Sequence, residues 1–155
     1  AMLFSRTNTL LSLPMLLSMV AAQNYIKLYL YLLLNSFLET FNKIKIGFVT
    51  STTLDNIEAV FKTLNNQIKK NHFDFIGNNT LIKKAKPAPD IYIEALNSLE
   101  LNSTECIAIE DTVESALSAH RAKIKCIAFP GLFHADDDFS FCLKKLDKLN
   151  TSIFN

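Results

Sequence analysis

An α/β fold with a parallel sheet flanked by helices is predicted from three observations. Short apolar, β-branched runs alternate four times with helical stripes between residues 44 and 129. Each run closes on a polar or turn-forming cluster, and the connections are short, as right-handed strand–helix–strand units require. The 155 residues, 49% hydrophobic and 20% charged, suffice for one domain with a real core.

The elements follow in chain order. Residues 1–38 are rich in Leu, Ser and Asn and form a segment apart from the α/β core expected over 39–155. Their apolar runs, 10–22 and 28–34, are each shorter than a membrane span and are separated by Gln23, Asn24 and Lys27. They read as a helical pair packed on the core, as a targeting segment, or as sequence foreign to the fold. A helical turn is expected over 37–43. Residues 44–50 (IKIGFVT) read as a strand buried on both faces, ending in the hydroxyls of Thr50, Ser51, Thr52 and Thr53. Apolar positions 54, 57, 60, 61 and 64 predict a helix over 54–68. Residues 73–76 form a short strand stopped at Gly77. Pro87 and Pro89 hold the next loop extended, with Pro89 at the first helical position of a helix over 91–99. A third strand (106–109), a helix (113–122) and a fourth strand (125–129) complete the Rossmann-like alternation. The tail carries the acids Asp136, Asp137 and Asp138 and a helical LKKLDKL.

Composition excludes several functions. A net charge of +1 gives no electrostatic case for nucleic acid. Cys106, Cys126 and Cys142 lie too far apart for a zinc pattern and read as buried thiols of a reduced compartment. A cytoplasmic location follows, with organelle targeting through the acid-free leader as the alternative. Two features are unusual. Only three glycines occur, where roughly ten are usual for this length. None of the fifteen acids precedes Glu39.

Ligands of open parallel sheets bind beyond the carboxyl ends of the strands. Three such ends are distinctive here. Thr50, Ser51 and Thr52 offer hydroxyls and N–H groups at a helix start. Lys86 offers a cation on a proline-stiffened loop. Glu110 and Asp111 offer adjacent carboxylates. Hydroxyls with a lysine neutralise a phosphoryl group, and paired carboxylates suit a hard cation. Alone, each is equally a helix cap or a solvated side chain; their order on successive strand ends points to phosphoryl chemistry.

The segments IGFVTST (46–52), KPAPDIYIEAL (86–96), CIAIEDTVESALSA (106–119) and, more weakly, AFPGLFHADDDFS (128–140) resemble the haloacid-dehalogenase-like superfamily, in its β-phosphoglucomutase-like or CbbY-like branch. The resemblance implies that Thr50, with Ser51 and Thr52, holds the transferring phosphoryl of a small phosphorylated metabolite. It implies that Lys86 neutralises that group, and that Glu110 and Asp111 hold Mg²⁺, with Asp111 the more direct ligand. It also implies an upstream DxDGT loop carrying the nucleophile, which this chain lacks. The expectation is therefore a phosphatase or phosphomutase core, incomplete and impaired in turnover. The alternative is a non-catalytic phosphate-binding or interaction protein, with self-association through open sheet edges. Ser115 stands where the branch has glycine after its acidic motif, and Lys123 ends an AAG-like turn. The absent first strand leaves a slot beside strands 44–50 and 106–110, for which residues 26–34 are the candidate filler, preferred as helix.

Overall fold

The computed structural model describes residues 2–3, 8–10, 45–64 and 68–148. The expected helices of the leader and of 37–43 lie outside these residues. A seven-stranded sheet is assembled from β1 (Met2–Leu3), β2 (Asn8–Leu10), β3 (Lys45–Phe48), β4 (Phe75–Ile76), β5 (Ile107–Glu110), β6 (Lys125–Ala128) and β7 (Lys144–Lys145). The helices are α1 (Leu54–Thr63), α2 (Asp90–Leu99) and α3 (Val113–Arg121). β4 lies beside β3, β2 lies between β3 and β5, and β6 and then β7 follow on the other side. All these pairs are parallel; β1 runs antiparallel to β3 and β5.

The elements form for the reasons their sequences supply. β3 buries Ile46, Phe48 and the following Val49, as a strand covered on both faces must. The α1 stripe delivers Ile57, Val60 and Phe61 to the sheet. Phe61 meets Phe48 edge-on with ring centroids 5.9 Å apart, and Phe73 closes the cluster at 5.8 Å from each. On the opposite face α2 buries Ile91, Tyr92, Ala95 and Leu99, and α3 buries Ala116 and Ala119, small residues that let the helix approach the strands.

The slot between β3 and β5 holds β2, with Thr9 opposite both Ile46 and Ile107; residues 26–34, the expected candidate for that slot, lie outside the described residues. Flanking ladders on both sides reward any short extended segment by satisfying its backbone, whatever its side-chain pattern. Three expectations change. The tail forms β7 and not a helix. The free edge of β6 captures it, with Leu143 N–H on Cys126 O at 2.7 Å and Leu146 N–H on Ala128 O at 2.9 Å. Helix α1 ends at Thr63, short of 68. The proline loop is turned and not extended, with Ala88 N–H on Ala85 O at 3.0 Å, and Pro89 caps α2 just ahead of Asp90.

The scarcity of glycine leaves a trace at two helix ends. α3 closes with Ile124 N–H on Ala119 O and Lys123 N–H on His120 O, a bond pair that places Lys123 at φ 61°. α2 closes in the same way on Glu100 at φ 54°. A side chain in this left-handed region costs roughly 1 kcal/mol. Lys123→Gly is therefore expected to raise the unfolding midpoint by about 2–4 °C, read by thermal denaturation.

Candidate functional site

The carboxyl ends of β3 and β5 converge on Lys86. Its ammonium donates to Val49 O at 3.3 Å, to Glu110 Oε1 at 2.7 Å and to Ser115 Oγ at 3.3 Å. It also lies 5.4 Å from the ring centre of Tyr92. These bonds engage all three donors of the ammonium. The lysine thus joins the end of β3, the end of β5 and the first turn of α3. Its loop is pinned from α3: Ser118 Oγ donates to Ala88 O at 2.6 Å, and Arg121 Nη1 donates to Pro87 O at 2.9 Å.

Glu110 is the last residue of β5 and is fully buried. Tyr92 O–H donates to the same Oε1 at 2.5 Å. Burial raises the Glu110 carboxyl, but the Lys86 charge and the hydrogen bonds from Lys86 and Tyr92 outweigh it and hold the group below its usual range. Glu110 therefore contributes stability above the ordinary glutamate pKa, and that contribution is lost as pH falls through its lowered value. Burial, and next the charge of Glu110, raise the Tyr92 phenol, which stays protonated and donating.

Asp111 behaves oppositely. Burial first, and then Glu110, push its carboxyl above the usual range. The folded state then binds its proton more tightly than the unfolded chain, so ionised Asp111 costs stability as pH rises through and beyond the ordinary aspartate pKa. Asp111→Asn is expected to raise the unfolding midpoint at pH 7. Added Mg²⁺ is expected to raise the midpoint of the parent chain and to leave that of the variant unmoved, both read by thermal melts.

The hydroxyl turn sits one residue beyond the Val49 carbonyl that Lys86 grips. Thr50 is buried, and its Oγ1 accepts Thr52 N–H at 3.3 Å. Thr52 Oγ1 accepts from Asn56 Nδ2 at 2.8 Å, and Thr52 O accepts Asn79 N–H at 2.9 Å. Thr53 caps α1 through Asn56 N–H. Ser51, between these anchored threonines, is half-buried. Gly77, at the end of β4, packs so closely that a Cβ there would lie 2.9 Å from Thr50 O and 2.8 Å from Ile91 Cδ1.

The predicted residues therefore lie at the ends of β3 and β5 and on the loop ahead of α2, with Lys86 and Glu110 in direct contact. Sequence reasoning missed Tyr92, Ser118, Arg121 and Gly77 as supports. Tyr92 was legible in principle, because a phenol on a core stripe needs a buried acceptor. Ser115, which stands where the branch has glycine, gives Lys86 its third acceptor. The acids Asp136–Asp138 stay exposed, with Asp137 on His134 Nδ1 at 2.7 Å and Asp138 accepting Ser140 N–H at 2.9 Å.

Residues 8–129 match the family model for haloacid dehalogenase-like hydrolases. The chain belongs to that family. Within it, the likeness is to the CbbY and β-phosphoglucomutase-like branch. Protein CbbY of Cereibacter sphaeroides is 30% identical over 104 residues, which cover 67% of this chain and 45% of that protein. A crystal structure of CbbY from Rhodobacter sphaeroides in complex with phosphate superposes with a TM-score of 0.68 at 28% identity, covering 75% of this chain and 51% of that one. β-Phosphoglucomutase from Clostridium difficile shares the fold, with a TM-score of 0.63 at 22% identity, over 79% of this chain and 51% of that one. The chain thus spans about half the length of the relatives it matches. Among the described residues, no helix is long and apolar enough to cross a membrane.

Mg²⁺ is the cation the family implies. Asp111 and Glu110 supply hard carboxylate oxygens on adjacent residues at a strand end, and Mg²⁺ commonly takes one or two carboxylates plus water and substrate phosphate. The raised Asp111 carboxyl marks a position that gains from a nearby positive charge. Glu110 already balances Lys86, so Asp111 is the better candidate ligand. The donor set fits in kind, although among the described residues no group of three or more His, Cys, Asp or Glu gathers at one point.

Proposed function

We propose that the chain binds the phosphoryl group of a small phosphorylated metabolite, such as a sugar phosphate, and turns it over slowly or not at all. The observation that carries this reading is the position of Lys86, a nearly buried cation bridging Val49 O and Glu110 beside the Thr50–Thr52 turn. An incoming phosphoryl oxygen replaces one of the two 3.3 Å contacts of the ammonium, while the 2.7 Å bond to Glu110 keeps the cation in place. Ser51, Thr52 and the N–H groups entering α1 face the same strand end and add neutral donors. When bound, Mg²⁺ neutralises charge on the phosphoryl oxygens. Glu110 and Tyr92 orient the lysine, and Asp111 holds the cation.

Slow turnover follows from the first strand. β2 occupies the slot that in the resemblance ends in the nucleophilic aspartate, and no carboxylate occurs before Glu39. Binding and charge neutralisation persist without a nucleophile, but the covalent step does not. This observation also favours the second reading, a non-catalytic binder of phosphorylated metabolites. A calorimetric titration with inorganic phosphate checks the binding claim. Saturable binding that disappears in Lys86→Met is expected; the absence of binding to the folded parent chain would refute it.

A further inference from the structure

A threonine hydroxyl carries one proton and two lone pairs, so the bonds it accepts decide whether its proton stays available. In the turn after β3, Thr52 Oγ1 accepts from Asn56 Nδ2 at 2.8 Å, and Thr50 Oγ1 accepts Thr52 N–H at 3.3 Å. Among the described residues, neither hydroxyl donates to a protein acceptor. Thr80, on the loop after β4, is in the opposite state: its Oγ1 donates to Asn78 Oδ1 at 2.5 Å. The β3 turn thus keeps two hydroxyl protons for an incoming oxygen.

Asn56 holds Thr52 in this state. It is the third residue of α1, and its backbone N–H donates to the capping Thr53 Oγ1 at 3.4 Å. Its side chain reaches back to Thr52, whose carbonyl accepts Asn79 N–H at 2.9 Å. The Thr52 main chain is therefore fixed from the loop after β4 and its side chain from α1. Asn56 is itself exposed and adds nothing to the core. We propose, on the phosphate-binding reading above, that Asn56 is a positioning residue that fixes the Thr52 hydroxyl as a donor toward a phosphoryl oxygen. Because the amide donates, the hydroxyl proton is not drawn onto α1. A carboxylate in its place reverses this: it accepts the Thr52 proton and adds a negative charge beside the anion.

The test is calorimetric titration with inorganic phosphate of the full folded chain, Asn56→Ala, Thr52→Val and the double variant. Asn56→Ala is expected to weaken binding about three- to tenfold, the worth of one neutral hydrogen bond, and Thr52→Val by at least as much. The double variant should bind like Thr52→Val alone, because without the hydroxyl the amide has nothing to orient. Thr52→Ser keeps a hydroxyl and should keep the full sensitivity to Asn56→Ala. Asn56→Asp should bind more weakly than Asn56→Ala, a comparison that needs no change at Thr52. Additive losses in the double variant, an Asn56→Asp affinity equal to or above that of Asn56→Ala, or lower urea stability with phosphate affinity unchanged would each overturn the role of Asn56 and leave the phosphate-binding reading standing. No binding to the folded parent chain would overturn both.

Discussion

Lys86→Ala is expected to destabilise the chain by about 3–5 kcal/mol, because removing one partner of a buried ion pair strands the other. Glu110 is fully buried and its Oε1 receives both Lys86 and Tyr92. Without the ammonium, burial is the dominant influence left on the carboxyl, which then takes up a proton at higher pH. The loss should accordingly be greatest near neutrality and shrink in acid, where the variant's Glu110 is protonated. The double variant Lys86→Met with Glu110→Gln replaces both charges and should recover much of the stability, since a buried pair often contributes little beyond its neutral equivalents. It should not recover phosphate binding, which needs the cation. Urea denaturation and phosphate titration of the three proteins separate the structural role of Lys86 from its role toward ligand. In Lys86→Ala, phosphate affinity should fall about tenfold or more, the worth of one charge-assisted hydrogen bond.

Gly77→Ala is expected to cost about 1–3 kcal/mol through overpacking. The new methyl would meet Thr50 O at 2.9 Å and Ile91 Cδ1 at 2.8 Å. Ile91 is fully buried and its tip has little room to turn, while Thr50 O belongs to the backbone. The end of β3 must therefore yield, and it carries both the Val49 carbonyl under Lys86 and the hydroxyl turn. Phosphate affinity should fall along with stability. Gly131→Ala is the control: its methyl would meet nothing within 4 Å, and a change within about 0.5 kcal/mol is expected. Equal effects at the two glycines in urea melts would contradict this account of Gly77.

The sheet and its site were legible where side-chain pattern decides structure. Strands β3, β5 and β6 are buried runs whose apolar, β-branched residues cannot sit elsewhere, and their polar ends mark the ligand side of a parallel sheet. Thr50, Glu110 and Asp111 could be placed at the carboxyl ends of their strands for that reason, with Lys86 on a loop at the same side. The misses occur where backbone need decides. Asn8–Leu10 carries too few residues for any periodicity, yet two flanking ladders bind it. Lys144 and Lys145 lie within a helical stripe, yet the open edge of β6 takes them as strand. The contacts of Lys86 with Tyr92 and Ser115 depend on a loop that turns where its two prolines suggested extension. No linear spacing encodes that turn. The shortage of glycine was visible as composition, but its consequence, Glu100 and Lys123 in left-handed turns, needed the helix ends themselves.

The central claim is a phosphoryl-binding site without a nucleophile, and hydrolysis of a generic phosphate monoester in the presence of Mg²⁺ tests it most directly. The folded 155-residue chain is expected to release no phosphate above the rate of the uncatalysed reaction, under conditions where inorganic phosphate binds. Turnover typical of enzymes, on the order of 1 s⁻¹ or faster, that is abolished by Asp111→Asn would show that a working nucleophile is present and would contradict the account.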